Sequence, residues 1–405
     1  MALIVQKYGG TSVATAERIK AVAQRVAKTY DGGDQVLVVV SAMGDTTDDL
    51  IKLAGKITKK PHPREMDILL STGELVTSTL LAMALGDMGY KSISLSGAQA
   101  GIKTNGDYRK ARIVKVETKR ILEELAEGQI VIVAGFQGVT DDGMDVTTLG
   151  RGGSDTSAVA LAAALGAKVC ERLTDTDGIY SADPRVVPEA QRLEEIGYEE
   201  MLELATYGNK VMQPRAIELA ELYNIPIRVA SSFNDNPGTL IHGGVSMEVR
   251  NKVRNVAYDM DVAKITVVGI PDKPGIAASI FVPLAKAGIS IDTIVQNASI
   301  NKITDLTFTV TKDQMDDAIK VVKPIAKKIG ARDIASDAKL GKVSIIGTGM
   351  QNTPGFAAKM FATLSENGIN IDLISTSEIR ITCIIEESKV KEAVRALHHA
   401  FEVEV

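Results

Sequence analysis

Lys7-Tyr8-Gly9-Gly10-Thr11-Ser12 sets an ammonium, two glycines and two hydroxyls directly after the apolar run Leu3-Ile4-Val5. Small residues let successive backbone N–H groups crowd round an anion, and a lysine at a strand end projects over such a nest. The spacing is not that of the G-x-x-x-x-G-K-[ST] phosphate loop, yet it suits a terminal phosphate; an ordinary turn is the alternative. A second cluster, Thr147-Thr148-Leu149-Gly150-Arg151-Gly152-Gly153-Ser154-Asp155-Thr156-Ser157, isolates Arg151 among three glycines. Arg151 can grip a carboxylate in bidentate fashion, and Ser154 is placed to cap the helix that follows; a plain capped helix start is the alternative. A third stretch, Thr174-Asp175-Thr176-Asp177-Gly178-Ile179-Tyr180-Ser181-Ala182-Asp183-Pro184-Arg185, suits a nucleoside. There Tyr180 would pack on the base and Asp183 with Arg185 would reach ribose or phosphate, while Gly208-Asn209-Lys210 offers a second ammonium. Surface turns are the competing reading. Glu74, in Ser71-Thr72-Gly73-Glu74, reads as the start of a helix, equally as a capping residue or a site carboxylate.

These residues need a frame that brings distant segments together. From residue 1 to about 245, short β-branched runs alternate with helical patterns: Leu3 to Val5, a helix through Ile19, Val22 and Val26, then Val36 to Val40. Ser92 to Leu95, Ile130 to Val133, an Ala-rich helix from Ser154 to Leu165, Lys168 to Leu173 and Ile227 to Val229 continue the rhythm. Near-continuous apolar strands separated by helices imply an α/β domain with a mostly parallel sheet covered on both faces. Ligands of such sheets bind at the carboxyl ends of the strands. KYGGTS, SAMGDTTDD, SGAQAG and AGFQG, rich in small and hydroxyl residues, all fall there.

Beyond His242-Gly243-Gly244 an internal repeat begins. Lys264 to Gly269, Pro274-Gly275 and Gly288-Ile-Ser-Ile-Asp292 recur as Lys342 to Gly347, Pro354-Gly355 and Gly368-Ile-Asn-Ile-Asp372. Each copy reads strand, helix, strand, strand, helix, with terminal strands expected at Ile334 to Ser336 and Phe401 to Val405. That is a βαββαβ, ferredoxin-like unit with helices on one face of an antiparallel sheet. We divide the chain into 1–245, a linker or strand at 246–262, and repeats at 263–338 and 339–405. Val253 to Met260 alternates like a strand that could serve the second repeat's sheet.

Composition excludes several function classes. The 405 residues carry a formal charge of −5, and aromatics make up only 4% with no Trp. There is no basic field for nucleic acid and few stacking platforms for single strands. Cys170 and Cys383 are the two cysteines, each inside an apolar run, which fits buried thiols in a reducing compartment. No signal peptide is evident, and no apolar run is expected to reach the roughly 18 residues of a membrane helix. The expectation is a cytoplasmic protein with no membrane partner.

KYGGTSV, SAMGDTTD, STGELVTS, TTLGRGGSDTSA, TDTDGIYSADPR and YGNKVMQP, in this order and ahead of two repeats that resemble ACT domains, closely resemble the aspartate kinases of the amino-acid kinase superfamily. The likeness covers essentially the whole chain. Tyr8 stands where Phe is common, and Gln213 where many relatives have His. The resemblance implies an amino-acid kinase fold and ATP-dependent phosphorylation of the side chain of L-aspartate, with Mg2+ bridging phosphate oxygens. It implies that Lys7 stabilises the transferred phosphoryl group, Lys210 the nucleotide phosphates, and Asp155 orients the lysines. Arg151 would clamp the α-carboxylate and Glu74 the α-ammonium of aspartate, with Ser41, Asp45, Thr46, Thr47, Gly152, Gly153 and Ser154 lining that pocket. Tyr8, Gly9, Gly10, Ser12, Thr174, Asp175, Tyr180, Asp183, Pro184, Arg185, Asn209 and Lys210 would surround ATP.

The ACT resemblance implies an allosteric amino acid, lysine or threonine or both. Asp272, Pro274, Gly275, Ile276, Ala277, Asp292, Gln296 and Asn297 would hold it in the first repeat. Asn352, Thr353, Pro354, Gly355, Phe356, Ala357, Asn370 and Asp372 would do so in the second. It further implies a homo-oligomer through the ACT domains, with a separate regulatory chain arising in some relatives from an internal start near Met247. A different amino-acid kinase, or an amino-acid sensor that has lost catalysis, is the rival reading.

Overall fold

The computed structural model describes residues 2–208, 211–244, 253–297, 302–351 and 353–403. Two compact units emerge. The N-terminal one contains residues up to Tyr180, Arg192–Thr206 and the segment from 211 to 244; Ser181–Gln191, Tyr207 and Gly208 group with the C-terminal one.

In the N-terminal unit the elements run β1 (Leu3–Tyr8), α1 (Ala16–Asp31), β2 (Gln35–Val40), α2 (Thr46–Ile57), α3 (Pro63–Asp87), β3 (Ser92–Leu95), β4 (Ile102–Thr104) and β5 (Ile113–Val116). Then come α4 (Lys119–Ala126), β6 (Ile130–Ala134), β7 (Gln137–Thr140), β8 (Val146–Thr148), α5 (Gly153–Leu165), β9 (Val169–Thr174), β10 (Glu195–Ile196), α6 (Tyr198–Tyr207), α7 (Pro214–Leu222), β11 (Ile227–Ser231) and β12 (Thr239–Ile241). Eight strands form one sheet in the order β10-β12-β11-β9-β1-β2-β6-β3, parallel except where β12 meets β11. β5, β4, β7 and β8 make a smaller sheet.

The central strands are apolar because both faces are covered: Val36 to Val40 and Ile130 to Ala134 are all buried. α1 shows the helical counterpart. Thr15 accepts from Arg18 N at its start, and Ile19, Val22, Ala23, Val26 and Ala27 bury one stripe. α5 is buried nearly all round from Gly153 to Ala162, which its small residues permit.

α3 corrects two expectations. Its 25 residues are long and apolar enough, by length and composition, to cross a membrane, although no such run was expected. It also starts at Pro63, a proline at the first position. Glu74 is therefore deep inside the helix, and its capping role is excluded.

The C-terminal unit contains β13 (Asn255–Pro271), α8 (Ile276–Lys286), β14 (Ile294–Gln296), β15 (Ile303–Val310), α9 (Met315–Ile329), β16 (Asp333–Ile346), α10 (Phe356–Glu366), β17 (Leu373–Thr376), β18 (Arg380–Glu386) and α11 (Val390–Ala400). One antiparallel sheet runs β14-β15-β13-β16-β18-β17. The long strands β13 and β16 are shared between repeats. Lys264–Val268 pairs with Asp333–Asp337 to complete the first repeat, and Asn255–Asp259 pairs with Lys342–Ile346 to complete the second. Phe401 to Val403 is a turn that extends α11, not the expected terminal strand, because the edge of β16 is already taken. Asp292 and Asp372 come just before β14 and β17 rather than within them.

Candidate active site

Lys7 is the penultimate residue of β1, flanked by β2 and β9. Parallel pairing sets Arg172 of β9 opposite it. Lys7 Nζ lies 2.5 Å from Asp155 Oδ1, and Arg172 Nε donates to Asp155 Oδ2 at 3.1 Å. Asp155 sits in the first turn of α5, where a carboxylate is favoured by the exposed N–H groups. Lysine and aspartate are both buried. Burial, helped by Arg172, pulls the Lys7 pKa below its ordinary value although Asp155 opposes this. Burial alone would raise Asp155, but Arg172 and Lys7 together hold its carboxyl below the usual range. The result is a desolvated cation–carboxylate–cation row at the carboxyl end of the sheet.

The loops around it are tightly fitted. A Cβ on Gly10 would come 3.0 Å from the carbonyl oxygen of Ala42, and Gly44 N donates to Gly10 O at 3.1 Å. The loop after β1 therefore rests on the loop after β2. α3 approaches from the other side through Gly73, where a Cβ would lie 2.8 Å from Ala42 Cβ. A glycine inside a helix costs roughly 1 kcal/mol relative to alanine, and the close approach gives it a reason. Glu74, the next residue, is buried. Burial pushes its pKa up to about 8, against the lowering influence of its own N–H, the Ala42 N–H and Lys7. Glu74 Oε2 is buried without a hydrogen-bond partner among the described residues. Such an acceptor is satisfied by a cationic donor.

Arg151 sits between β8 and α5. Gly150 and Gly152 take left-handed φ values of 78° and 66°, and a Cβ on Gly152 would collide with the Gln213 side chain. Gly152, not Ser154, is the N-cap of α5, and Ser154 is buried within the first turn. Arg151 is exposed and has no hydrogen bond or ion pair among the described residues. Ser41, Thr46 and Thr47 are half-buried at the β2–α2 turn, where Thr46 Oγ1 is committed to Met43 O at 2.6 Å and Asp45 is the N-cap.

Several expected nucleotide contacts are otherwise engaged. The Tyr8 side chain is in the core with its hydroxyl on Gln6, because β1 alternation turns it inward. Ser12 is buried with Oγ 2.8 Å from Ser232 Oγ. Thr174 Oγ1 donates to the exposed Asp175 at 3.0 Å, and the Tyr180 backbone forms an isolated β-bridge with Arg192. Asp183 Oδ1 accepts from Arg185 N and Nε, and Oδ2 from Arg185 Nη2 and the Tyr258 hydroxyl, all within the C-terminal unit. Pro184 is exposed beside them. Asn209 and Lys210 lie outside the described residues.

In the regulatory unit, Gly275 and Gly355 cap α8 and α10 with left-handed φ values of 92° and 109°. Asp272, Pro274, Ala277, Gln296, Asn297, Thr353, Pro354 and Asn370 are exposed, Phe356 and Ala357 half-buried and Ile276 buried; Asn352 lies outside the described residues. Asp292 and Asp372 each pair with a lysine of the other repeat. Asp292 Oδ2 is held by Lys342 of the second repeat, and Asp372 Oδ2 by Lys264 of the first at 2.5 Å. The lysines occupy corresponding places in the two repeats, so the carboxylates are taken by a reciprocal crossing that one repeat read alone does not show.

Arg172 and Asp67 were missed by motif reading. A Glu171-Arg172 pair inside an otherwise apolar strand was the available signal for the first.

A parallel-sheet domain with a buried lysine at a strand end, glycine loops beside it and a paired βαββαβ unit is the arrangement of an amino acid kinase domain joined to ACT domains. Residues 2–231 match the amino acid kinase family, and residues 265–324 and 343–401 match an ACT domain. An aspartokinase of Mycolicibacterium smegmatis is 51% identical, covering 99% of this chain and 96% of that one. An aspartate kinase of Stutzerimonas stutzeri is 50% identical over 100% and 98%. The solved structure of E. coli aspartokinase III with aspartate and ADP covers 99% of this chain and 100% of its own, at 25% identity and a TM-score of 0.84. This chain belongs to the amino acid kinase family and, within it, to the aspartokinases.

Proposed function

We propose a division of labour for the residues of this aspartate kinase, which uses ATP to convert L-aspartate to 4-phospho-L-aspartate, the first step toward lysine, threonine, methionine and isoleucine. The attacking carboxylate, with an ordinary pKa of about 3.9, is ionised at neutral pH and needs no general base. The obstacle is the approach of one anion to a polyanion, so catalysis comes from positioning and charge. Lys7, backed by Asp155 and Arg172, meets the charge that develops on the transferred group. Phosphate oxygens nearby favour its protonated form and offset its desolvation. Glu74 takes the α-ammonium and Arg151 the α-carboxylate. Ser41, Asp45 and Thr47 would line that side, and Lys210 with Gly9, Gly10, Thr174 and Asp175 would face the nucleotide.

Magnesium would enter with ATP and neutralise phosphate charge. Among the described residues no three His, Cys, Asp or Glu side chains converge on a metal. Lysine or threonine would bind the ACT unit with its carboxylate at the N-terminus of α8 or α10. Its ammonium would meet Gln296 and Asn297, or displace Lys342 from Asp292. Exposed Ile294 and Ile374 on the edge strands β14 and β17, with Ile303 on β15, support assembly through this unit. A regulatory chain starting at Met247 stays a proposal. The buried free thiols and the half-buried α3 support a cytoplasmic setting.

The observation that carries the reading is the buried Lys7–Asp155–Arg172 row. Lys7→Met should leave the fold intact, as judged by circular dichroism, and lower kcat at least about a hundredfold, the equivalent of roughly 3 kcal/mol of lost preorganised charge. Wild-type turnover in the folded variant would contradict it.

A further inference from the structure

We infer that Asp67 is the positioning residue that sets the Arg151 loop at a fixed span from Glu74, and so matches the site to the charged ends of an α-amino acid. The inference rests on the assignment of Arg151 to the α-carboxylate. Asp67 and Glu74 both lie on α3, seven residues apart. Two turns of helix place them on one face, about 10 Å apart along the axis. Both are buried.

Asp67 accepts from Arg109 N with both oxygens, at 3.0 and 2.9 Å. Thr148 N donates to Oδ2 and Thr148 Oγ1 to Oδ1, each at 2.8 Å. No ion pair to Asp67 exists among the described residues, so backbone and hydroxyl dipoles alone stabilise this carboxylate. The two segments it ties are the ones that shape the Arg151 loop. Thr148 ends β8, three residues before Arg151. Arg109 adopts a left-handed φ of 68°, and its carbonyl oxygen would lie 2.9 Å from a Cβ on Gly150. The same helix face holds the hairpin at a second point, where Gln137 Nε2 donates to Ser71 O at 2.8 Å.

Arg109 N and Thr148 N can only donate, whereas the Thr148 hydroxyl can also accept, so asparagine would still serve all three by turning its NH2 toward that hydroxyl. Alanine would leave both N–H groups without an acceptor, and the loop would move to relieve them. The expected consequence is selective. Arg151 would lose its place relative to Glu74 while the β1 loop kept its own.

Steady-state kinetics of the full chain test this with Asp67→Ala, Thr148→Val, Arg151→Lys and the double variants. Asp67→Ala should raise the KM for L-aspartate at least about tenfold while that for ATP changes by less than about twofold, and Thr148→Val should shift it about threefold in the same direction. In the Arg151→Lys background either change should add less than about threefold, because both act through one guanidinium. Should Asp67→Ala fail to fold, Thr148→Val carries the same test. Equal rises in both KM values, or full multiplication with Arg151→Lys, would reduce Asp67 to a general structural role and overturn the inference. A raised aspartate KM in Arg151→Lys alone, with wild-type values in folded Asp67→Ala and Thr148→Val, overturns it by itself. An unchanged aspartate KM in Arg151→Lys removes the underlying assignment as well.

Discussion

Lys7–Asp155 in the N-terminal unit and Lys342–Asp292 in the C-terminal unit are the same chemical pair put to different uses. Asp155 is 5% exposed and shared with a second cation, Arg172, whereas the Asp292 side chain is 31% exposed and also accepts from Thr293 and Thr309. The first pair is desolvated beside the tightly fitted glycine loops, where the proposed role of its ammonium is to meet phosphate. The second joins the repeats, mirrored by Lys264–Asp372. The first pair also has unsatisfied buried groups in its unit, among them Glu74 Oε2 and Arg172 Nη1, which have no hydrogen-bond partner among the described residues.

The sharpest way to press this contrast is through pH. Glu74 is pushed up to about 8, so its carboxyl is neutral below that pH and ionised above it. Only the ionised form pairs with an α-ammonium. The KM for L-aspartate should therefore fall as pH rises from 6 toward 8, by up to about tenfold per unit well below the pKa. In Glu74→Gln the KM should be high and nearly flat over that range. A wild-type profile already flat from pH 6 would mean that Glu74 is ionised throughout and that its burial has no bearing on substrate.

A smaller effect is expected in the regulatory pair. Asp292→Ala leaves Lys342, 8% exposed, without its carboxylate, and should destabilise the protein by roughly 2 kcal/mol, less than a fully buried broken pair because Asp292 is partly solvated. Lys342→Met should cost less, since two threonine hydroxyls remain on Asp292. Turnover without effector should stay within about twofold in both. Urea denaturation and an ADP-coupled assay read the two quantities. The reverse order of stability, or a large loss of turnover, would break the distinction between a catalytic and a joining pair.

Much of the catalytic sheet was legible because its strands are continuous apolar runs and its loops carry their chemistry locally, as Lys7 with Gly9 and Gly10 shows. Arg172 escaped because its relation to Lys7 arises only when β9 pairs with β1. Glu74, in Ser71-Thr72-Gly73-Glu74, reads as a helix start but lies within α3. The glycine is the contact that lets α3 reach Ala42. In the regulatory unit the repeat was plain, and the alternation of Val253 to Met260 pointed to the strand that Asn255–Asp259 supplies to the second repeat, but Lys342 reaches Asp292 across 50 residues of sequence. Reading each repeat alone gave Asp292 and Asp372 to an effector; the fold gives them first to lysines.

The central claim is that the pocket is divided, with phosphate on the Lys7 side and aspartate held by Glu74 and Arg151. Its most direct test is the pair of KM values in Arg151→Lys, where a point ammonium replaces a guanidinium fork. The account predicts a rise of about tenfold or more for L-aspartate, equivalent to roughly 1.4 kcal/mol, with the ATP value nearly unchanged. A rise confined to ATP would place Arg151 in the nucleotide site and contradict the division.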